Sequence, residues 1–210
     1  MNKYDGVLFD MDGVLIDSMP LHLKAFNQVL ERYSVQINSA DISGRKTYDI
    51  LSEVSARYKH SRLDVPYLVN QKQKIASKLI EEAGHSIMMN DSLDVLRELI
   101  RIKKVGICTS GSRASLNHYL RMVPKDLSFD IALCSEDVSK AKPNPEIYTK
   151  GVKELELNSR ATLVVEDSIA GAMAGTGAGC DVALLDPNRS LVFQENSLLF
   201  RITSLQQLLV

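Results

Sequence analysis

The sequence predicts an α/β protein, a doubly wound parallel sheet of Rossmann-like form interrupted by an inserted α-helical unit. Three observations predict it. Short apolar runs of strand length alternate with stretches of helical periodicity, the pattern of strands paired in parallel through right-handed crossovers. The first run, Val7-Leu8-Phe9, is continuously apolar, as a strand buried on both faces requires. Between that run and Asn90 the chain shows helical patterns and no strand.

Taken in order, Val7 to Phe9 form the first strand, closed by Asp10 and broken by Gly13. Ser18 and Pro20 open a helix that carries Leu21, Ala25, Val29 and Leu30 at helical spacing. Residues 39–47 read as a loop. A second helix is expected over about Tyr48 to Tyr58, and a third from Pro66 to Glu82, ending near Gly84. From Asn90-Asp91, a capping pair, a helix follows through Leu93, Leu96, Leu99 and Ile100. The second strand spans Val105 to Ser110, and Ser112 caps a helix carrying Leu116, Tyr119 and Leu120. Asp130 to Ser135 is the third strand. Pro143-Asn144-Pro145 opens a helix with Ile147, Tyr148, Val152 and Leu155 on its apolar side. Thr162 to Glu166 is the fourth strand, followed by a short helix of small residues over Ser168 to Thr176, and Asp181 to Leu185 is the fifth. A last strand near Phe200 to Ile202 and a helix over Ser204 to Leu209 end the chain.

With 45% hydrophobic and 24% charged residues, the chain has the composition of a soluble globular protein, and its 210 residues suffice for one domain with an insert. A formal net charge of -1 gives no general attraction to nucleic acid or to an acidic membrane surface. Cys108, Cys134 and Cys180 lie far apart, form no Cys-x-x-Cys pair and read as buried free thiols of a reducing compartment. Asp5, Asp10 and Asp12 interrupt the apolar start as no signal-peptide core would allow, and no apolar run spans a bilayer. The expectation is a cytoplasmic protein without membrane or nucleic-acid partners.

The chemistry concentrates at strand ends, where open parallel sheets place their sites. Asp10 and Asp12 close the first strand; alone they read equally as turn carboxylates. Ser110 and Gly111 end the second strand just before a helix, an anion-binding corner or a simple cap. Lys142 stands before the stiff Pro143-Asn144-Pro145 entry to a helix, over a pocket or in solvent. Glu166 and Asp167 form a second acidic pair at the end of the fourth strand. Together these stations occupy one edge of one sheet. Oxygens of Asp10, Glu166 and Asp167 make a hard site suited to Mg²⁺. Lys142, Ser110 and backbone amides supply donors for phosphate oxygens. Asp10 can then attack phosphorus, and Asp12 can give a proton to the leaving oxygen and take one from water.

Four stretches in this order, Asp10-Met11-Asp12-Gly13-Val14, Thr109-Ser110, Lys142-Pro143-Asn144-Pro145-Glu146 and Val165-Glu166-Asp167-Ser168, resemble the haloacid dehalogenase superfamily. The likeness is to its branch of small phosphatases and β-phosphoglucomutases with a helical cap. It implies a phosphoaspartate on Asp10, Mg²⁺ held by Asp10, Asp167, the Asp12 carbonyl and Glu166, and phosphate contacts from Ser110 and Lys142. It also implies a catalytic core of residues 1–15 and 86–210 and a cap of residues 16–85 that closes over substrate.

Within that family, dehalogenases lack the acid/base aspartate, whereas Asp12 is present here. A receiver-type phosphoaspartate switch uses similar groups in another chain order and has no cap. The resembling mutases carry a histidine soon after the first motif, which His22 matches, and a cap-loop arginine, at whose position this chain has Thr47. Arg45 and Lys46 follow Gly44 in that loop and are candidate anchors for the far end of a substrate, while Ser55 to Arg62 read as a solvated basic surface. The expected activity is Mg²⁺-dependent hydrolysis of a small phosphorylated metabolite, a sugar or polyol phosphate, with phosphosugar mutase as the alternative.

Overall fold

Six strands, all parallel, form one sheet in the order β3-β2-β1-β4-β5-β6. The computed structural model describes residues 3–42, 45–57, 63–194 and 198–209. The strands are β1 (Gly6–Phe9), β2 (Lys104–Cys108), β3 (Ile131–Leu133), β4 (Thr162–Glu166), β5 (Asp181–Leu185) and β6 (Leu199–Ile202). The helices are α1 (Met19–Leu30), α2 (Ser39–Ile42), α3 (Thr47–Arg57), α4 (Val65–Ala83), α5 (Ser92–Ile100), α6 (Arg113–Met122), α7 (Glu146–Glu154) and α8 (Ile169–Gly177). The chain divides into two compact units, residues 1–17 with 88–210, and residues 18–87.

The larger unit holds the sheet and α5 to α8. Strands β1, β4 and β5 are buried at every position, as suits their apolar stretches Val7 to Phe9, Leu163 to Val165 and Val182 to Leu185. One core cluster joins Leu8, Val164, Val182 and Leu184 of the sheet to Ile147, Tyr148 and Leu155 of the α7 region and Ala172 and Ala174 of α8. The chain leaves this unit after a turn in which the Gly13 amide donates to the Ile16 carbonyl at 2.7 Å, and re-enters where the Met89 amide donates to Leu15 at 2.9 Å. The three cysteines are buried free thiols.

The smaller unit is α1 to α4. Phe26, Val29 and Leu30 of α1, Ile50, Leu51 and Val54 of α3 and Leu68 of α4 bury one shared core. The Asn27 side chain clamps Ile37, accepting its amide at 2.9 Å and donating to its carbonyl at 3.1 Å. No helix among the described residues is long and apolar enough to cross a membrane.

Four expectations change locally. Residues 39–42 of the expected loop are the short helix α2, started where the Asn38 amide donates to the Asp41 carboxylate at 2.8 Å. Ser18 and Asp91 precede α1 and α5 but give their helices no side-chain cap; Asp91 turns the chain instead, at φ 63. Leu205–Leu209 form a 3₁₀ segment. Ser112 does cap α6, accepting the Ser115 amide at 3.2 Å.

Candidate active site

Register brings the site together. On β1, Gly6 stands level with Lys104 of β2 and Thr162 of β4, and Phe9 with Ile107 and Val165. Three adjacent strands therefore run out together. Asp10, Cys108 and Glu166 each follow one residue beyond that last matched row, and the Asp10 amide keeps a bond to the Val165 carbonyl at 2.9 Å.

Lys142 reaches this edge from the entry to α7. Its Nζ donates to Asp10 Oδ1 at 2.6 Å, Glu166 Oε1 at 2.7 Å and the Cys108 carbonyl at 2.9 Å. All three ammonium protons are thereby used. The side chain is 6% exposed, so this is a desolvated ion cluster and not a surface pair. Glu166 is held on both oxygens. Its Oε1 also accepts the Tyr148 hydroxyl at 2.8 Å, and its Oε2 accepts the Asp167 amide, the Ser168 amide and the Ser168 hydroxyl at 3.1, 3.2 and 3.0 Å. Two glycines make room: a Cβ at Gly171 would run into the Glu166 carboxylate, and a Cβ at Gly13 into that of Asp167.

Carboxylate oxygens of Asp10, Glu166 and Asp167 all lie within 4.8 Å of one another. Burial raises the Asp10 carboxyl well above its ordinary range; Lys142 opposes the shift, while Glu166, Asp167 and Asp12 add to it. Asp167 is pushed up to about 7 by burial and then by the charge of Glu166, against the pull of Lys142. Burial also disfavours the Lys142 ammonium, but Asp10 and Glu166 outweigh it and hold that pKa above the usual lysine range. Three hard oxygen donors crowded around one lysine, with more negative than positive charge, fit a small divalent cation. Because Lys142 occupies Oδ1 of Asp10 and five donors saturate Glu166, Oδ2 of Asp10 and the Asp167 carboxylate are the oxygens best placed to serve it.

Ser110 and Lys142 line a cavity of about 170 Å³ together with Thr109, Ser135, Ser139 and Lys140. Ser110 is exposed at its rim. The Gly111 amide donates to Thr109 Oγ1 at 2.9 Å. Gly111 also packs against Asp12, whose Oδ2 lies 3.4 Å from where a Cβ would stand. Asp10, Asp12, Ser110, Gly111, Lys142, Glu166 and Asp167 thus share one end of the larger unit.

His22, Arg45 and Lys46 belong to the smaller unit. His22 Nδ1 is 3.0 Å from Lys72 Nζ. Arg45 pairs with Glu53 at 2.5 Å and donates to the Asp41 carbonyl at 3.2 Å, and Lys46 is exposed. Gly44 and the basic stretch from Tyr58 to Arg62 lie outside the described residues; Ser55 to Arg57 end α3, with Arg57 paired to Glu53. Sequence reading passed over two polar groups. Lys72 is 5% exposed, with its Nζ 4.6 Å from the Phe26 ring centroid. Its signal was present: it interrupts the apolar stripe Leu68, Ala76, Ile80 of α4. Tyr148 reads as a core aromatic of α7, and nothing in its spacing shows where its hydroxyl points.

Residues 7–185 match the model of the haloacid dehalogenase-like hydrolases. The chain belongs to that family. This haloacid dehalogenase-like hydrolase is 29% identical over 185 residues to hexitol phosphatase A of Escherichia coli, covering 84% of this chain and 81% of that one. It is 28% identical over 186 residues to a phosphorylated carbohydrates phosphatase of Thermotoga maritima, covering 84% and 82%. Its fold superposes on β-phosphoglucomutase of Clostridium difficile with a TM-score of 0.72 at 20% identity, over 87% of this chain and 85% of that one. The superfamily resemblance of the four motifs is borne out, and the chain is a hydrolase with several sequence relatives that are named phosphatases.

Proposed function

We propose that this hydrolase is a Mg²⁺-dependent phosphomonoesterase for a small phosphorylated sugar or polyol, working through a phosphoaspartate on Asp10. The observation that carries it is the Asp10–Lys142–Glu166 cluster where β1, β2 and β4 end together. A buried lysine on one oxygen of a buried aspartate screens that anion from an approaching phosphate and aims its other oxygen. The names of the sequence relatives support the substrate class.

Asp10, Asp167 and the Asp12 carbonyl are the groups that would hold Mg²⁺; Glu166, whose oxygens are already taken by five donors, would act instead by holding Lys142. When bound, the ion supplies charge neutralisation for the phosphoryl oxygens. Asp10 attacks phosphorus, and the bond from phosphorus to the ester oxygen breaks. Asp12 gives its proton to that oxygen, so the alcohol leaves neutral. Asp12, now ionised, takes a proton from water as the water oxygen attacks the phosphoaspartate. Inorganic phosphate leaves and Asp10 is restored. Ser110 holds the phosphoryl oxygens through both steps, and Lys142, its protons shared among Asp10, Glu166 and the Cys108 carbonyl, contributes its positive charge. Recognition of the organic part falls to the helical unit as cap, with His22, Arg45 and Lys46 as candidate contacts. Thr47, at the position of the mutase arginine, favours transfer to water over transfer to a second sugar hydroxyl.

Phosphate release from p-nitrophenyl phosphate, hexitol phosphates and hexose phosphates tests the proposal. Activity should vanish with EDTA and return with Mg²⁺. Asp10→Asn should lower kcat by at least about 10³-fold while leaving the fold intact, read by circular dichroism. Retained turnover in that variant excludes Asp10 as nucleophile. Interconversion of sugar phosphates without free phosphate would identify a mutase.

A further inference from the structure

We infer that Tyr148 is a positioning residue that divides Lys142 between Asp10 and Glu166. This rests on the phosphoryl-transfer reading of the site. Tyr148 is fully buried on α7 and touches the cluster twice. Its hydroxyl donates to Glu166 Oε1 at 2.8 Å, and its ring centroid lies 4.8 Å from Lys142 Nζ. Glu166 Oε1 therefore accepts two donors, the phenol and the ammonium, on one atom.

The two carboxylates compete for one cation. Lys142 stands at nearly equal distance from each, 2.6 Å from Asp10 and 2.7 Å from Glu166. In a desolvated site, a hydrogen bond to one carboxylate weakens its pull on a shared cation. The phenol gives Glu166 Oε1 a second partner, so the ammonium is not captured by Glu166 alone and stays on the nucleophile. The aromatic face adds a second restraint by supporting the ammonium from the side. Without the hydroxyl, Glu166 Oε1 faces Lys142 alone, and the ammonium moves toward it and away from Asp10.

Tyr148→Phe keeps the ring, and with it the packing and the cation–π contact, and removes only the donor. With p-nitrophenyl phosphate and Mg²⁺, kcat should fall about tenfold while KM changes less than about twofold. Beryllium trifluoride, which mimics a phosphoryl group on an aspartate, gives a readout that needs no turnover. By calorimetry with Mg²⁺ present, its Kd should rise about tenfold in the variant at unchanged stoichiometry, which excludes partial unfolding as the cause. Tyr148→Leu, which also removes the ring, should lose more on both measures. If Tyr148→Phe matches wild type in kcat and in beryllium trifluoride affinity, the hydroxyl has no positioning role and the inference is overturned. A wild type inert toward both probes overturns instead the phosphoryl-transfer reading on which it stands.

Discussion

At Gly13 the backbone and the carboxylate of Asp167 compete for the same space. The residue sits at φ +81, where an L side chain is strained, and a Cβ would overlap Asp167. Gly13→Ala should therefore act twice. The strain should lower stability by about 1–2 kcal/mol, read by denaturant unfolding of the metal-free protein. Displacement of Asp167 should weaken Mg²⁺ binding by at least about tenfold, read by calorimetry. Wild-type affinity in the variant would remove Asp167 from the ion's ligands. In the sequence Gly13 reads only as a strand breaker, because its neighbour across the site lies 154 positions away in the chain. The site acids and Lys142 were legible for another reason: each stands where a strand stops or a helix begins, and such places can be read locally. Tyr148 was not, because an aromatic at helical spacing looks the same whether its hydroxyl meets water or a carboxylate. Lys72 announced itself only as a charge on an apolar stripe.

Among the elements, α8 shows how local chemistry serves the site. Its small residues allow close approach to the sheet; a Cβ at Gly175 would press on Val182 Cγ2 at 2.7 Å and Val164 Cγ1 at 3.1 Å. Its start is fixed by Ser168, whose hydroxyl accepts the Gly171 amide at 3.0 Å and donates to Glu166 Oε2 at 3.0 Å. The helix cap is thus also a fastening for Glu166. Ser168→Ala should cost about 1 kcal/mol, a fall of roughly 2–4 °C in Tm for a chain of this size. Ser112→Ala removes the α6 cap, whose hydroxyl meets the Ser115 amide and hydroxyl. It should cost a similar amount, so comparing kcat in the two variants separates capping from fastening: only Ser168→Ala should slow turnover. Equal kcat in both would leave Ser168 a plain cap. Strands and long helices were legible because periodicity accumulates over their length. The four residues of α2 are too few to show a period, and the backbone turn at Asp91 leaves no mark that separates it from a side-chain cap.

For the molecule as a whole, the crowded acids are a cost to folding, one that a bound divalent cation would offset. The helical insert between two parts of an α/β core was legible from the sequence, but the strand order was not, since strand neighbours are chosen by packing rather than by chain order. That order sets Asp10 and Glu166 side by side, and the acids are buried together. Folded Asp10 and Asp167 consequently bind protons more tightly than their unfolded counterparts. Burial is the main cause for both, reinforced by Glu166 and opposed by Lys142. Between the ordinary carboxylate range and about 7, the folded state holds more protons than the unfolded one, so unfolding releases them and stability falls as pH rises. Asp181, where Lys3 and Tyr4 outweigh the effect of burial, has its pKa lowered instead and loses its contribution only in acid. The metal-free protein should accordingly unfold at a higher denaturant midpoint at pH 5 than at pH 8. Saturating Mg²⁺ should raise the midpoint more at pH 8, where the carboxylates it would meet are ionised, and should narrow the difference. Metal-free stability that stays level or climbs from pH 5 to pH 8 would mean that the acids are not crowded as described. An equal gain from Mg²⁺ at both pH values would mean that the ion does not bind through them.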